Sequence, residues 1–221
     1  MTTQSIKKYG PQEIVETAKR GFESWDEGTL EAMMLFTKAQ QLLLEGRPVS
    51  PDQIGARLRM PKHQAMSFLG HVGAALDEEG NLVGLGLSVV PTQHSYKING
   101  RQLYVWCAAD AISFPILHKA TAVIASPDPI SGELVRLTSS PEGVSGVEPS
   151  TAVATIVTGQ KGIANIRANV CNHQHFFTSV DTAAEYVSRH PGLAIATIED
   201  VFQAGQILRE QEPFKSLIAR L

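Results

Sequence analysis

Cysteine is scarce in this chain, with two in 221 residues, Cys107 and Cys171. That count leaves no room for a disulfide-rich scaffold, and the two thiols are expected to be reduced in a cytosol. No apolar run reaches the length of a membrane-spanning helix; Leu82 to Val90 is among the longest. The segment Met1 to Lys8 lacks the apolar core of an export signal, which points to a cytoplasmic location. Positive charge is not in surplus either. A formal net charge of −3 argues against nucleic acid and anionic membrane as partners, since both select basic patches. Repeats, low-complexity tracts and long charge blocks are missing. What remains is a globular chain, 43% hydrophobic, large enough for one large or two small cores.

The periodicities describe an α+β protein. Helices are expected over 11–22 and 29–45, the second stopping at Gly46. Its adjacent Met33 and Met34 read as core filling. Ser50, Pro51 and Gln53 form a capping-box signature for a third helix, and a turn at 59–61 opens a fourth with Ala65, Leu69, Val72 and Leu76 on one face. With the strand-like Leu82 to Val90, these resemble a winged-helix unit. Residues 61–76 offer only Lys62, His63 and His71, however, so the unit reads as scaffold rather than DNA reader. Pro91 marks the expected boundary between a helical, winged-helix-like region, 1–91, and an α+β core of small mixed or antiparallel sheets, 92–221. Asn99-Gly100 signals a two-residue hairpin between alternating strands. Further strands are expected near 121–125, 133–138, 151–158, 166–173 and 193–198. Helices are expected near 108–118, 182–189 and 199–210, with Asp181 or Thr182 as the cap of the middle one.

Both cysteines sit among chemically loaded neighbours. Cys107 lies in Tyr104-Val105-Trp106-Cys107-Ala108-Ala109-Asp110, at a strand end where a helix begins. Backbone N–H groups there favour a thiolate, and the i to i+3 spacing brings Asp110 to the same face. The pair reads equally as a proton-transfer couple or as a helix cap. If 169–175 were a strand, Cys171, His173 and His175 would share one face, giving a zinc or copper site or simply histidines bonded within a sheet. Trp106 reads as core, with a substrate-pocket wall as the second option. Gly84-Leu85-Gly86 and Gly159-Gln160-Lys161-Gly162 fail as nucleotide motifs, and Ser113 and Ser179 lack a nucleophile elbow.

The sequence resembles the organomercurial (alkylmercury) lyases of bacterial mercury resistance. The resemblance runs through Glu45 to Ser50, Tyr104 to Asp110 with Phe114-Pro115, Pro141, Val147-Glu148-Pro149, Cys171 to Phe177 and His190 to Leu193. It implies a catalytic trio of Cys107, Asp110 and Cys171, which would also hold the product Hg(II). It further implies cleavage of a carbon–mercury bond by protonation, with no cofactor and with exogenous small thiols releasing the product. Partners implied are the organomercurial substrate, small thiols and a mercuric reductase that receives the metal. His173 and His175 are expected to support the Cys171 segment. Some relatives carry extra cysteines where this chain has Asn172 and Ser126-Pro127-Asp128-Pro129, and neither departure touches the trio. The competing reading is a zinc- or copper-binding winged-helix-like regulator or structural metal module.

Overall fold

A computed structural model describes residues 8–22, 27–159, 165–212 and 214–219. The chain opens with α1 (Pro11–Phe22), α2 (Glu27–Leu42), a 3-10 turn (Leu43–Glu45), α3 (Pro51–Leu58) and α4 (Lys62–Val72). Gly46 ends the 3-10 turn in the left-handed conformation, and its N–H donates to the Leu43 carbonyl. The Ser50 hydroxyl accepts from the Gln53 N–H while Gln53 reaches back to the Ser50 N–H, closing the expected capping box of α3.

The first departure from expectation comes at α4. The apolar face continues to Leu76 in the sequence, yet the helix stops at Val72 because Gly73 turns left-handed (φ 76°). The freed His71 carbonyl accepts from the Asn165 N–H, and Leu76 becomes an exposed strand residue. A glycine one residue past the last helical position is the stop signal here.

Strands β1 (Ala75–Leu76), β2 (Leu82–Leu85), β3 (Leu87–Ser88), β4 (His94–Ile98) and β5 (Arg101–Val105) follow. Gly86 splits the expected single strand over Leu82 to Val90. Its φ is 71°, and a Cβ there would stand 2.9 Å from the Phe114 ring, so only glycine fits. The β4–β5 hairpin forms as expected, with Asn99 and Gly100 both at positive φ. Beyond it lie α5 (Ala108–His118), β6 (Ala122–Pro127), β7 (Leu134–Ser139), β8 (Val144–Glu148) and β9 (Val153–Val157). The remainder is α6 (Ile166–Asn169), a 3-10 turn (Cys171–His173), β10 (Phe176–Phe177), α7 (Val180–Arg189), β11 (Leu193–Thr197), α8 (Ile198–Arg209) and α9 (Phe214–Ala219). Ser179 caps α7 and Thr182 is its N3 partner, so the cap falls two residues before Asp181.

Among the described residues, eight strands form one sheet in the order β1-β2-β3-β5-β4-β6-β7-β8, and three form another, β10-β9-β11, with antiparallel pairing throughout both. The α+β class is the expected one. Since β3 pairs with β5, the large sheet runs through Pro91 and is shared by the regions on either side. Helix α5 packs between the two sheets. Its Ala108, Ala111 and Ile112 join one core with Tyr96, Leu103 and Ile124 from the large sheet and Ala154, Ile156 and Phe176 from the small one. The buried carboxylate of Asp128 ties the sheets together, accepting from the N–H and hydroxyl of Thr178 at 2.8 and 2.9 Å and from the Ile130 N–H at 2.8 Å.

Candidate active site

Strand β5 delivers Cys107 to the start of α5 in an extended conformation (φ −152°, ψ 170°), where it is the helix N-cap. The Asp110 N–H donates to the Cys107 sulfur at 3.4 Å. The cap is Cys107 itself rather than Asp110, and this contact holds Asp110 beside the thiol. Cys171 arrives from the side of the small sheet, ahead of β10. The strand expected over 166–173 does not exist; the segment is α6 followed by a 3-10 turn. Alternating Ile166, Ala168 and Val170 read as a strand, but local bonds win: the Val170 N–H donates to Ile166 and the His173 N–H to Val170. The hydroxyl of Thr155 on β9 captures the His173 carbonyl at 2.9 Å.

That turn aims the Cys171 sulfur at Asp110, whose Oδ2 it reaches at 3.8 Å. The sulfurs of Cys107 and Cys171 and a carboxylate oxygen of Asp110 all lie within 4.8 Å of one another. No other group of three histidine, cysteine or acidic side chains among the described residues is spaced to hold a metal ion. The zinc or copper arrangement of Cys171 with His173 and His175 fails with the strand that would have built it. Trp106 is buried in the main core, with the Arg167 guanidinium 4.9 Å from its ring.

Gln174 was not foreseen and stitches the site together. Its side-chain oxygen accepts from the Cys107 thiol at 3.8 Å, its carbonyl accepts from the Ala108 N–H at 3.0 Å, and its own N–H donates to the Cys171 carbonyl. A second unforeseen feature is a buried polar chain behind Cys171. His175 Nε2 donates to the Asn172 carbonyl at 3.0 Å, so its Nδ1 is free to accept from Gln93 Nε2 at 2.7 Å. Gln93 gives its second proton to His94 Nε2 at 3.2 Å, leaving His94 Nδ1–H to donate to Ser126 Oγ at 2.8 Å. Every bond is satisfied with both rings neutral. Burial, with the repulsion a protonated His175 would add, lowers His94 to about 3. Burial also lowers His175, against the opposing pull of its bond to Asn172. The one sequence clue was His94 itself, which shares an inward strand face with Tyr96 and Ile98.

Electrostatics differ from the expected thiolate. The two cysteines are 2% and 4% exposed. Burial, then the contact with Cys171 and the charge of Asp110, pushes the Cys107 thiol well above its ordinary value, and the Asp110 N–H is too weak to reverse this. The contact with Cys107 lowers Cys171, but burial and Asp110 outweigh it and the net shift is upward. Burial raises Asp110 to about 6, with hydrogen bonds from the two thiols opposing it. The resting site is two thiols around one carboxylate that has a pKa near neutrality. Such a group can both take and return a proton.

The α+β fold thus closes two thiols and one acid into a buried cluster of the kind that could hold a soft metal ion. Comparison with known proteins names the class more closely. The family model for alkylmercury lyase matches residues 87–210. An alkylmercury lyase of Staphylococcus epidermidis is 40% identical over 188 residues, 84% of this chain and 87% of that protein. One of Streptomyces lividans is 39% identical over 171 residues, 77% and 79% of the two chains. The crystal structure of the mercury-bound form of MerB2 superposes with a TM-score of 0.74 at 21% identity, covering 93% of this chain and 99% of that one, a likeness of fold. The chain belongs to the alkylmercury lyase family of enzymes.

Proposed function

We propose that this protein breaks the carbon–mercury bond of organomercurials by protonation, releasing a hydrocarbon and retaining Hg(II) until a small thiol removes it. The observation that supports this reading most is the convergence of Cys107, Cys171 and Asp110 within 4.8 Å. Thiolates are the preferred ligands of a soft metal.

The geometry suggests an order of events. Cys171 already faces the Asp110 carboxylate, so Asp110 accepts its proton as the sulfur displaces the thiolate or halide ligand of the substrate. Cys107 then adds to mercury, and its proton leaves with the displaced ligand. Electron donation from two sulfurs makes the bound carbon basic. Asp110 returns its proton to that carbon, the carbon–mercury bond breaks, and the hydrocarbon departs. Protons balance: two thiols lose one each, one going to carbon and one to the leaving ligand. A carboxyl with pKa about 6 is roughly a tenth protonated at pH 7, against about 0.1% for an ordinary aspartate. It is therefore a competent acid without ceasing to be a base.

No cofactor enters this scheme. The two-sulfur chelate makes exogenous thiol the natural agent of release, in a cytosolic setting where a mercuric reductase could take the metal onward. No helix among the described residues is long and apolar enough to cross a membrane. The test is gas-phase detection of benzene from phenylmercury acetate in excess thiol. Benzene above the protein-free background supports the reading, and none refutes it.

A further inference from the structure

Asp110 faces more than the two sulfurs. It is half-buried, and beside it opens a cavity of about 590 Å3 between α5, α8 and α9. The walls are apolar: Phe114 and Ile116 from α5, Leu208 from α8, Phe214 and Ile218 from α9. Exposed Lys119 and Lys215 stand at its mouth. Of the trio, only Asp110 lines this space; neither cysteine does. That asymmetry has a chemical meaning. In the reaction proposed above, mercury must sit on the sulfurs and the carbon must sit against the carboxyl that protonates it.

We infer that this cavity receives the organic substituent of the organomercurial, and that the α8–α9 wall sets how large the substituent can be. The assignment rests on the cleavage reading. The volume falls within the roughly 300–1,000 Å3 of small-molecule sites, and an apolar cavity of about 150 Å3 already suffices for benzene in another protein. The occupant is therefore an aryl or branched alkyl group rather than methyl alone. Such groups bury apolar surface against these walls, where Asp110 is the partly buried acid and Glu210 lies exposed.

Gly205 gives the means to test it. It lines the cavity from α8, and a Cβ there would make only ordinary contacts, 3.4 Å from Ser113 Oγ and 3.5 Å from Ile116 Cδ1. Gly205→Leu therefore fills the cavity, while Leu208→Ala enlarges it. Purified full-length variants are assayed in excess thiol for methane from methylmercury, benzene from phenylmercury and naphthalene from naphthylmercury. The phenyl-to-methyl ratio of kcat/KM is expected to fall at least tenfold in Gly205→Leu. The naphthyl-to-phenyl ratio is expected to rise at least threefold in Leu208→Ala. Ratios within twofold of wild type in both variants, with methane still released, overturn the cavity assignment and leave the cleavage reading standing. A wild-type protein that releases no hydrocarbon sinks both. If Gly205→Leu does not fold, Leu208→Ala decides alone, because truncation at the cavity wall adds no bulk.

Discussion

The Cys171 sulfur lies 3.8 Å from Oδ2 of Asp110, although one residue sits in a 3-10 turn and the other in the first turn of α5, 61 positions apart in the chain. In the proposed reaction this contact sets the acid-base group against the thiol to be deprotonated, and the first predictions follow from it.

Cys107→Ser and Cys171→Ser should each lower hydrocarbon release by more than about 100-fold, because a hydroxyl is a poor ligand for a soft metal. In the wild type, one turnover without added thiol should leave one mercury per chain. Elemental analysis after gel filtration reads this directly, and near-wild-type release by either variant would discard the two-sulfur scheme.

Asp110→Asn should bind substrate but form no hydrocarbon, and it should also be more stable than wild type at neutral pH. The sign follows from burial: the folded pKa, about 6, is above the ordinary 3.8. Below pH 4 both states are protonated and nothing is lost; from pH 4 to 6 the unfolded chain ionises while the folded carboxyl keeps its proton, so stability falls, and above about 6 the folded state carries the disfavoured charge and the loss levels off. At pH 7 the cost to wild type is on the order of 1–3 kcal/mol. Urea titrations at pH 4 and pH 7 should show the variant's advantage only at the higher pH. Turnover of wild type should rise with pH through about 6 as Asp110 becomes able to accept a proton.

Asp128 should behave in the opposite sense. Burial opposes its charge, but donation from Thr178 and Ile130 prevails and holds its carboxyl below the usual range. Its contribution is present above the ordinary pKa of 3.8 and lost as pH falls through the lower folded value. Asp128→Ala should cost about 2–3 kcal/mol at pH 7, since it strands buried donors, and much less near pH 2. Denaturant titrations at the two pH values provide the check.

His175→Phe should destabilise the fold by about 1–3 kcal/mol by stranding the Asn172 carbonyl and the Gln93 amide. It should also slow mercury capture by Cys171, whose turn it braces. His175→Gln, able to donate and accept, should recover part of both. Stopped-flow measurement of mercurial binding separates this outcome from a purely global loss of stability, in which the folded fraction would react at the wild-type rate.

What could be read from the sequence was local. The Ser50 capping box, the Asn99-Gly100 hairpin and the start of α5 at Ala108 each depend on residues within four positions, and each formed as expected. The trio of Cys107, Asp110 and Cys171 was named from motif resemblance, whereas its distances came only with the fold. The segment around Cys171 departs from the expected strand because short-range bonds wind it into a turn, which Thr155, 18 positions from His173 on β9, then anchors. Gln93, Ser126 and Gln174 were invisible for the same reason: an isolated polar residue shows its purpose only when the sheet curls it inward. The depressed thiol pKa expected from the helix N-terminus was overridden by burial, which sequence position does not reveal.

Because Cys107 follows a strand of the large sheet and Cys171 precedes one of the small sheet, the metal cradle exists only where the two halves have docked correctly. A molecule with its small sheet misplaced would offer mercury a single sulfur, a grip that any passing thiol can undo. In the proposed reaction, hydrocarbon release therefore also reports that the two sheets have come together.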